Sequence, residues 1–199
     1  MIEPHDAADE HDAAEDVEAR NSDTLPDVKQ EPTSWRQGEP TPQDVATAYH
    51  EAGHAAMSLM LRRPIERVSI EPNQVRLGQC KLRKSVHGPL KDAVETEILI
   101  LLGGLGAEAR HTGAYDWDAA SEDMRNVRRL LEMRAANDRQ MKRTESRLLD
   151  KAEHLLDHPG MWPAIERIAA ELLRYGSVSG RGVRHIFEQA IRLGKKRGE

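Results

Sequence analysis

TPQDVATAYHEAGHAAMSLMLRRP, residues 41–64, decides how the rest of the chain is read. Val45, Ala48, Ala52, Ala55, Leu59 and Met60 recur at helical spacing and Pro64 closes the run, so the stretch predicts an amphipathic helix. Thr41 serves as its N-cap, Pro42 takes the first helical position, and Asp44 completes a Thr-x-x-Asp variant of the capping box. Such a helix carries His50 and His54 on one face, one turn apart. The positions around them are small (Ala48, Ala52, Gly53, Ala55, Ala56), which lets a second element approach whatever the histidines hold.

With Glu51 the pair reads His50-Glu-Ala-Gly-His54, the spacing that sets two imidazoles on one zinc ion beside a glutamate. A catalytic zinc uses three protein ligands and keeps a fourth position for water. The metal lowers the pKa of that water, and Glu51, outside the coordination sphere, is placed to take its proton. The bland alternative is a helix with two part-buried histidines next to a carboxylate. No Gly and His follow His54 at the metzincin spacing, so a third ligand has to come from another segment. Asp116, Asp118, Asp123, His87, His111 and Glu108 have suitable chemistry.

Working outward, Val68 and Ile70 alternate with polar neighbours in Glu66–Glu71, which predicts a half-buried strand. Residues Leu77–Leu82 can pair with it across a turn containing Pro72 and Asn73, giving a small antiparallel hairpin or sheet. From Pro89 onward the patterns are helical, over roughly 89–110, 119–136, 138–157, 161–175 and 180–194, with breaks marked by Gly113, Pro159-Gly160 and the pair Gly176 and Gly180. The expected fold class is mainly α with a small β element and the metal motif on the first helix. Aromatic residues are only 4% of the 199, which suits packed helices of Leu, Ile, Val, Ala and Met better than a sandwich.

Residues 1–40 hold 12 acidic side chains against three basic ones, several prolines and almost no large apolar residues, so they read as a disordered acidic tail. Of the 29 basic and 34 acidic residues in the whole chain, 26 and 22 then remain in 41–199, the expected folded domain. That mild positive excess, without interleaved aromatics, argues against a nucleic-acid partner. The longest apolar run, Ile98–Leu105, is interrupted by Gly103 and Gly104, so no membrane span is expected. No secretory signal is visible, and the lone Cys80 fits a reducing compartment, so a cytoplasmic location is expected. Cys80 itself reads as a half-buried strand residue.

Thr47-Ala-Tyr-His-Glu-Ala-Gly-His-Ala55 closely resembles the metal-binding helix of the FtsH family of zinc metalloproteases. Val68-Ser-Ile-Glu-Pro72 with Leu77-Gly78 resembles the family's following strand, and Ile100-Leu-Leu-Gly-Gly-Leu-Gly-Ala-Glu108 its glycine-containing helix. Thr112-Gly-Ala and Ser121-Glu-Asp-Met124 resemble the stretch whose last Asp is the third zinc ligand, and Trp162 to Ala190 the end of the protease domain. The resemblance implies Zn²⁺ held by His50, His54 and Asp123, with Glu51 as the base. It also implies a helical metalloprotease domain across nearly all of residues 41–193.

Two departures stand out: the stretch carries no AAA ATPase module, and Tyr115-Asp-Trp-Asp-Ala119 looks inserted ahead of the ligand segment, which keeps Asp116 and Asp118 in play. Gly103-Gly-Leu105 also replaces the family's usual Gly-Gly-Arg. Glu108 is a candidate to orient a metal-bound histidine. Val68, Ser69 and Ile70 are candidates to hold an extended peptide by main-chain pairing. The expected activity is zinc endopeptidase cleavage of flexible or unfolded polypeptides without a fused ATPase, with a separate ATPase or adaptor, or self-association, as compatible partnerships. The competing expectation is a non-catalytic FtsH-like module that binds peptides in the same cleft.

Overall fold

The computed structural model describes residues 38–72, 78–82, 92–115 and 121–197. All belong to one compact unit, Pro32–Glu199. The expectations for the acidic tail before residue 38, and those resting on Leu77, His87, Pro89, Asp116 and Asp118, fall outside the described residues.

Helix α1 runs from Pro42 to Met60 and begins as its sequence requires. The Thr41 hydroxyl accepts from the Asp44 N–H at 3.2 Å, while the Asp44 carboxylate accepts from the Thr41 N–H at 2.9 Å, so two N-terminal donors are satisfied reciprocally. Two strands follow, β1 (Ile65–Ser69) and β2 (Gln79–Leu82), antiparallel, with Val68 opposite Cys80. The remaining elements are α2 (Ala93–Thr112), α3 (Ser121–Glu132), α4 (Asp138–Leu156), α5 (Met161–Tyr175), β3 (Ser177–Ser179) and α6 (Gly180–Arg197). The protein is therefore mainly helical with a small antiparallel sheet, as its composition and periodicity imply.

Strand β3 is the element that periodicity does not announce. Its three residues lie in Gly176-Ser-Val-Ser-Gly180, which reads as a break between helices, yet Val178 pairs with Val68 and the sheet order becomes β2-β1-β3. Gly180 permits this approach, because a Cβ there would lie 2.0 Å from the Ile65 carbonyl oxygen. β1 is the central strand with both edges paired, and Val68 and Ile70 are buried in the core.

The core is organised around α1, which packs against α2 and α5. At the α1–α2 crossing the small residues are a requirement. A Cβ on Gly53 would lie 2.4 Å from the Gly103 carbonyl oxygen, and one on Gly103 would lie 2.7 Å from the Met57 Cβ. The backbones can therefore approach more closely than any larger side chain would allow. Leu102 and Leu105 flank this contact and are 1% exposed, so the residue after Gly103-Gly104 faces the core. No helix among the described residues is long and apolar enough to cross a membrane.

Candidate metal centre

The close crossing of α1 and α2 brings α2 against the histidine face. The His54 ring lies flat over Gly104, where a Cβ would sit 2.4 Å from the imidazole Cε1. Its Nδ1 lies 2.8 Å from the Ile100 carbonyl oxygen. A carbonyl only accepts, so Nδ1 carries the proton and Nε2 presents a lone pair. One turn earlier, His50 places Nδ1 2.8 Å from the Glu108 carboxylate, which likewise only accepts when ionised, and its Nε2 also turns inward.

The third group arrives from α3. Asp123, in the first turn of that helix, sets Oδ2 2.9 Å from His50 Nε2 and 3.0 Å from His54 Nε2, while the two Nε2 atoms are 3.0 Å apart. Three electron-rich atoms thus converge on one point with their outer partners already engaged. Left alone they repel, so the cluster demands a positive charge at its centre.

A proton meets that demand in part. Burial opposes the charged form of His50, but the hydrogen bonds to Asp123 and Glu108 outweigh it and raise the pKa to about 10. Burial opposes the charged form of His54 as well, and Asp123 reverses the balance upward. For Asp123 burial favours the neutral acid, but His54 and His50 hold the carboxylate well below its usual range. A divalent ion meets the same demand with all three donors. Atoms sharing one tetrahedral zinc lie roughly 3.3 Å apart, so a slight opening of this triangle fits the ion. Two imidazoles and one carboxylate are a donor set of the catalytic kind, short by one position. His50, His54 and Asp123 form such a group among the described residues.

Glu51 lies beside this cluster on α1 and is 6% exposed. Gly78, just before β2, packs on its carboxylate, with a would-be Cβ 2.7 Å from Glu51 Oε1. The glycine leaves room for the acid where a side chain would displace it. Cys80, two residues on, is half-buried on β2 as its sequence context implies. Burial, with the Glu51 and Glu97 charges, pushes its thiol well above the ordinary range, so it is no ready nucleophile.

Of the other candidate ligands among the described residues, neither joins the triangle. Glu108 is buried, contacts His50 Nδ1 instead, and orients that ring. His111 stacks on Tyr49 with ring centroids 3.8 Å apart. Tyr49 also stacks on Trp162, over which Arg110 lies at 4.6 Å. This four-layer packing ties α1, α2 and α5 together beside the cluster. Sequence reasoning did not find it, nor the Ile100 carbonyl, because neither leaves a local pattern. Gly103-Gly104 was the available signal that a backbone approaches closely here.

The Glu108 contact has a measurable consequence. Replacing Glu108 with Ala removes the carboxylate that holds the His50 ring, so the dissociation constant for zinc is expected to rise about 10- to 100-fold. Competition with a chromogenic chelator reads this directly, and an unchanged constant would reject the orienting role.

Comparison with known proteins adds to this geometry. No family model matches the chain. A segment of 66 residues, 31% of the chain, is 39% identical to the ATP-dependent zinc metalloprotease FtsH of Acidobacterium capsulatum. A segment of this chain is similar to part of an FtsH. The similarity spans 10% of that FtsH.

Proposed function

We propose that this FtsH-like chain is a zinc-dependent endopeptidase acting on flexible or unfolded polypeptides. The carrying observation is the convergence of His50 Nε2, His54 Nε2 and Asp123 Oδ2 at 2.9–3.0 Å, with the outer nitrogens held by the Glu108 carboxylate and the Ile100 carbonyl. In this reading those three atoms hold the ion. When bound, zinc supplies the Lewis acidity that polarises a peptide carbonyl and acidifies a water molecule.

The remaining work falls to the chain's own groups. Glu51 accepts the proton of the attacking water and delivers it to the leaving amine. Gly78 keeps that carboxylate in place. Ile100 and Glu108 fix both histidine tautomers so that neither ring must reorient on metal uptake. The similarity to a zinc metalloprotease supports the same chemistry.

Metal removal tests the proposal. Purified protein is expected to carry about one zinc per chain and to cut an unfolded polypeptide such as reduced, alkylated casein. A chelator should abolish cleavage and added zinc should restore it. Cleavage that survives with no metal detectable by elemental analysis would reject the reading.

A further inference from the structure

Helix α2 meets the metal centre along one stripe. Gly104 lies under the His54 ring and Glu108 contacts His50. Glu97 falls on the same line, seven residues before Gly104 and eleven before Glu108. With about 3.6 residues per turn those spacings are close to two and three whole turns, so the three positions face the same way. Leu101, four residues after Glu97, occupies the stripe between them and is half-buried. Besides burial, the charges of Glu51 and Glu97 push the Cys80 thiol upward, which puts both carboxylates near the same β2 side chain. Gly78, two residues before Cys80, packs on Glu51. Glu97 therefore stands about two helical turns, roughly 10 Å, along α2 from Gly104 and its covering histidine, on the side that β2 and Glu51 border.

The fold gives this carboxylate no partner. Among the described residues Glu97 makes no hydrogen bond and no ion pair, although it is half-buried. Its neighbours three and four positions away on α2 are Ala93, Val94, Ile100 and Leu101, so no cation on its own helix compensates it. The other acids at this end of α2 are engaged: Asp92 caps the helix and pairs with Arg134, and Glu95 pairs with Arg147 and Lys151. Attraction to the helix dipole fades beyond the first turn, which ends before Glu97. A partly desolvated carboxylate without a partner is stabilised when a cation reaches it.

We propose that Glu97 selects polypeptide substrates with a lysine or arginine beside the scissile bond, the aliphatic stem lying over Leu101 and the charged head meeting the Glu97 carboxylate. This rests on the peptidase reading above and names its substrate class. Leading away from the metal centre, α2 offers first the apolar Leu101 and then the anion. Lysine and arginine combine a long apolar stem with a terminal cation in that same order.

Binding and cleavage are measured separately, so failure of this proposal is told from failure of the peptidase reading. Binding uses the zinc-loaded, full-length Glu51→Gln chain and fluorescence anisotropy with labelled, unfolded peptides. One position of the peptide carries either lysine or the uncharged norleucine, and that position is stepped along the sequence. At one position lysine is expected to tighten binding by about tenfold, an advantage that adding Glu97→Gln removes and adding Glu97→Lys turns into a preference for glutamate. Glutamine keeps the shape of Glu97, and zinc content equal to that of the parent chain reports an intact centre. In the wild-type chain, mass spectrometry of the cut sites in reduced, alkylated casein should show lysine and arginine enriched about tenfold at one subsite next to the cut, and Glu97→Gln should erase the enrichment. Absence of any cleavage with a Glu97-dependent lysine preference intact would reject the peptidase reading and keep the Glu97 subsite. Equal binding of the lysine and norleucine peptides at every position, a preference that survives Glu97→Gln, or cut sites without basic enrichment would overturn this proposal.

Discussion

Glu51→Gln should lower cleavage of an unfolded polypeptide by about 10²- to 10⁴-fold while leaving zinc bound. Glutamine has nearly the same shape, so it fills the space against Gly78 without disturbing β2. What it loses is the ability to take a proton. Glu51 is not among the three converging donors, so metal content should match wild type. The two readouts together distinguish a base from a ligand: loss of both zinc and cleavage would place Glu51 in the coordination sphere. Full cleavage with zinc retained would reject Glu51 as the base.

Asp123→Ala should raise the dissociation constant for zinc by more than about 100-fold, beyond the range seen when only an orienting partner is removed. Two histidines at 3.0 Å remain, and without the carboxylate's charge they hold a cation poorly. His54→Ala should also abolish zinc binding, but it further strips the cover from Gly104 and removes the imidazole donor to the Ile100 carbonyl, so some destabilisation is expected. Asp123, 20% exposed on its side chain, is the cleaner test. Elemental analysis of wild type and both variants, with Asp116→Ala and Asp118→Ala as comparators, decides the third ligand. Zinc retained in Asp123→Ala and lost in either comparator would move that role to the segment ahead of α3.

The pH dependence follows from the same geometry. The His50 pKa of about 10 in the metal-free cluster means that a proton occupies the centre at neutral pH, held by Asp123 and Glu108. Its folded value is raised, so the proton stabilises the metal-free fold below the ordinary histidine range, and that contribution fades as pH climbs toward 10. Zinc has to displace this proton, so its apparent affinity strengthens over the same rise.

Much of this was written locally. The capping box at Thr41 and Asp44, the helical face carrying His50 and His54, and the stop at Pro64 depend on neighbours within four residues, and all of them appear in α1. The helices from α2 to α6 were visible because each must bury one stripe of its own surface. Helix α4 begins at Asp138 as expected, capped by Asn137, whereas α3 stops at Glu132 short of its expected end at 136.

What the sequence determined by itself, then, was the two-histidine half of the cluster with Glu51 beside it, since all three lie within five residues of one helix. The tertiary structure decided the rest. Only folding shows that Asp123 Oδ2, 73 positions after His50, closes the triangle, or that the Ile100 carbonyl and Glu108 select the tautomers. It also decided that β1 lies in the middle of its sheet, because a three-residue strand between glycines pairs with it from far along the chain. Short-range periodicity records which side of an element is buried, whereas meeting partners are chosen by packing. At this site the choice was made where Gly53 and Gly103 let two backbones meet.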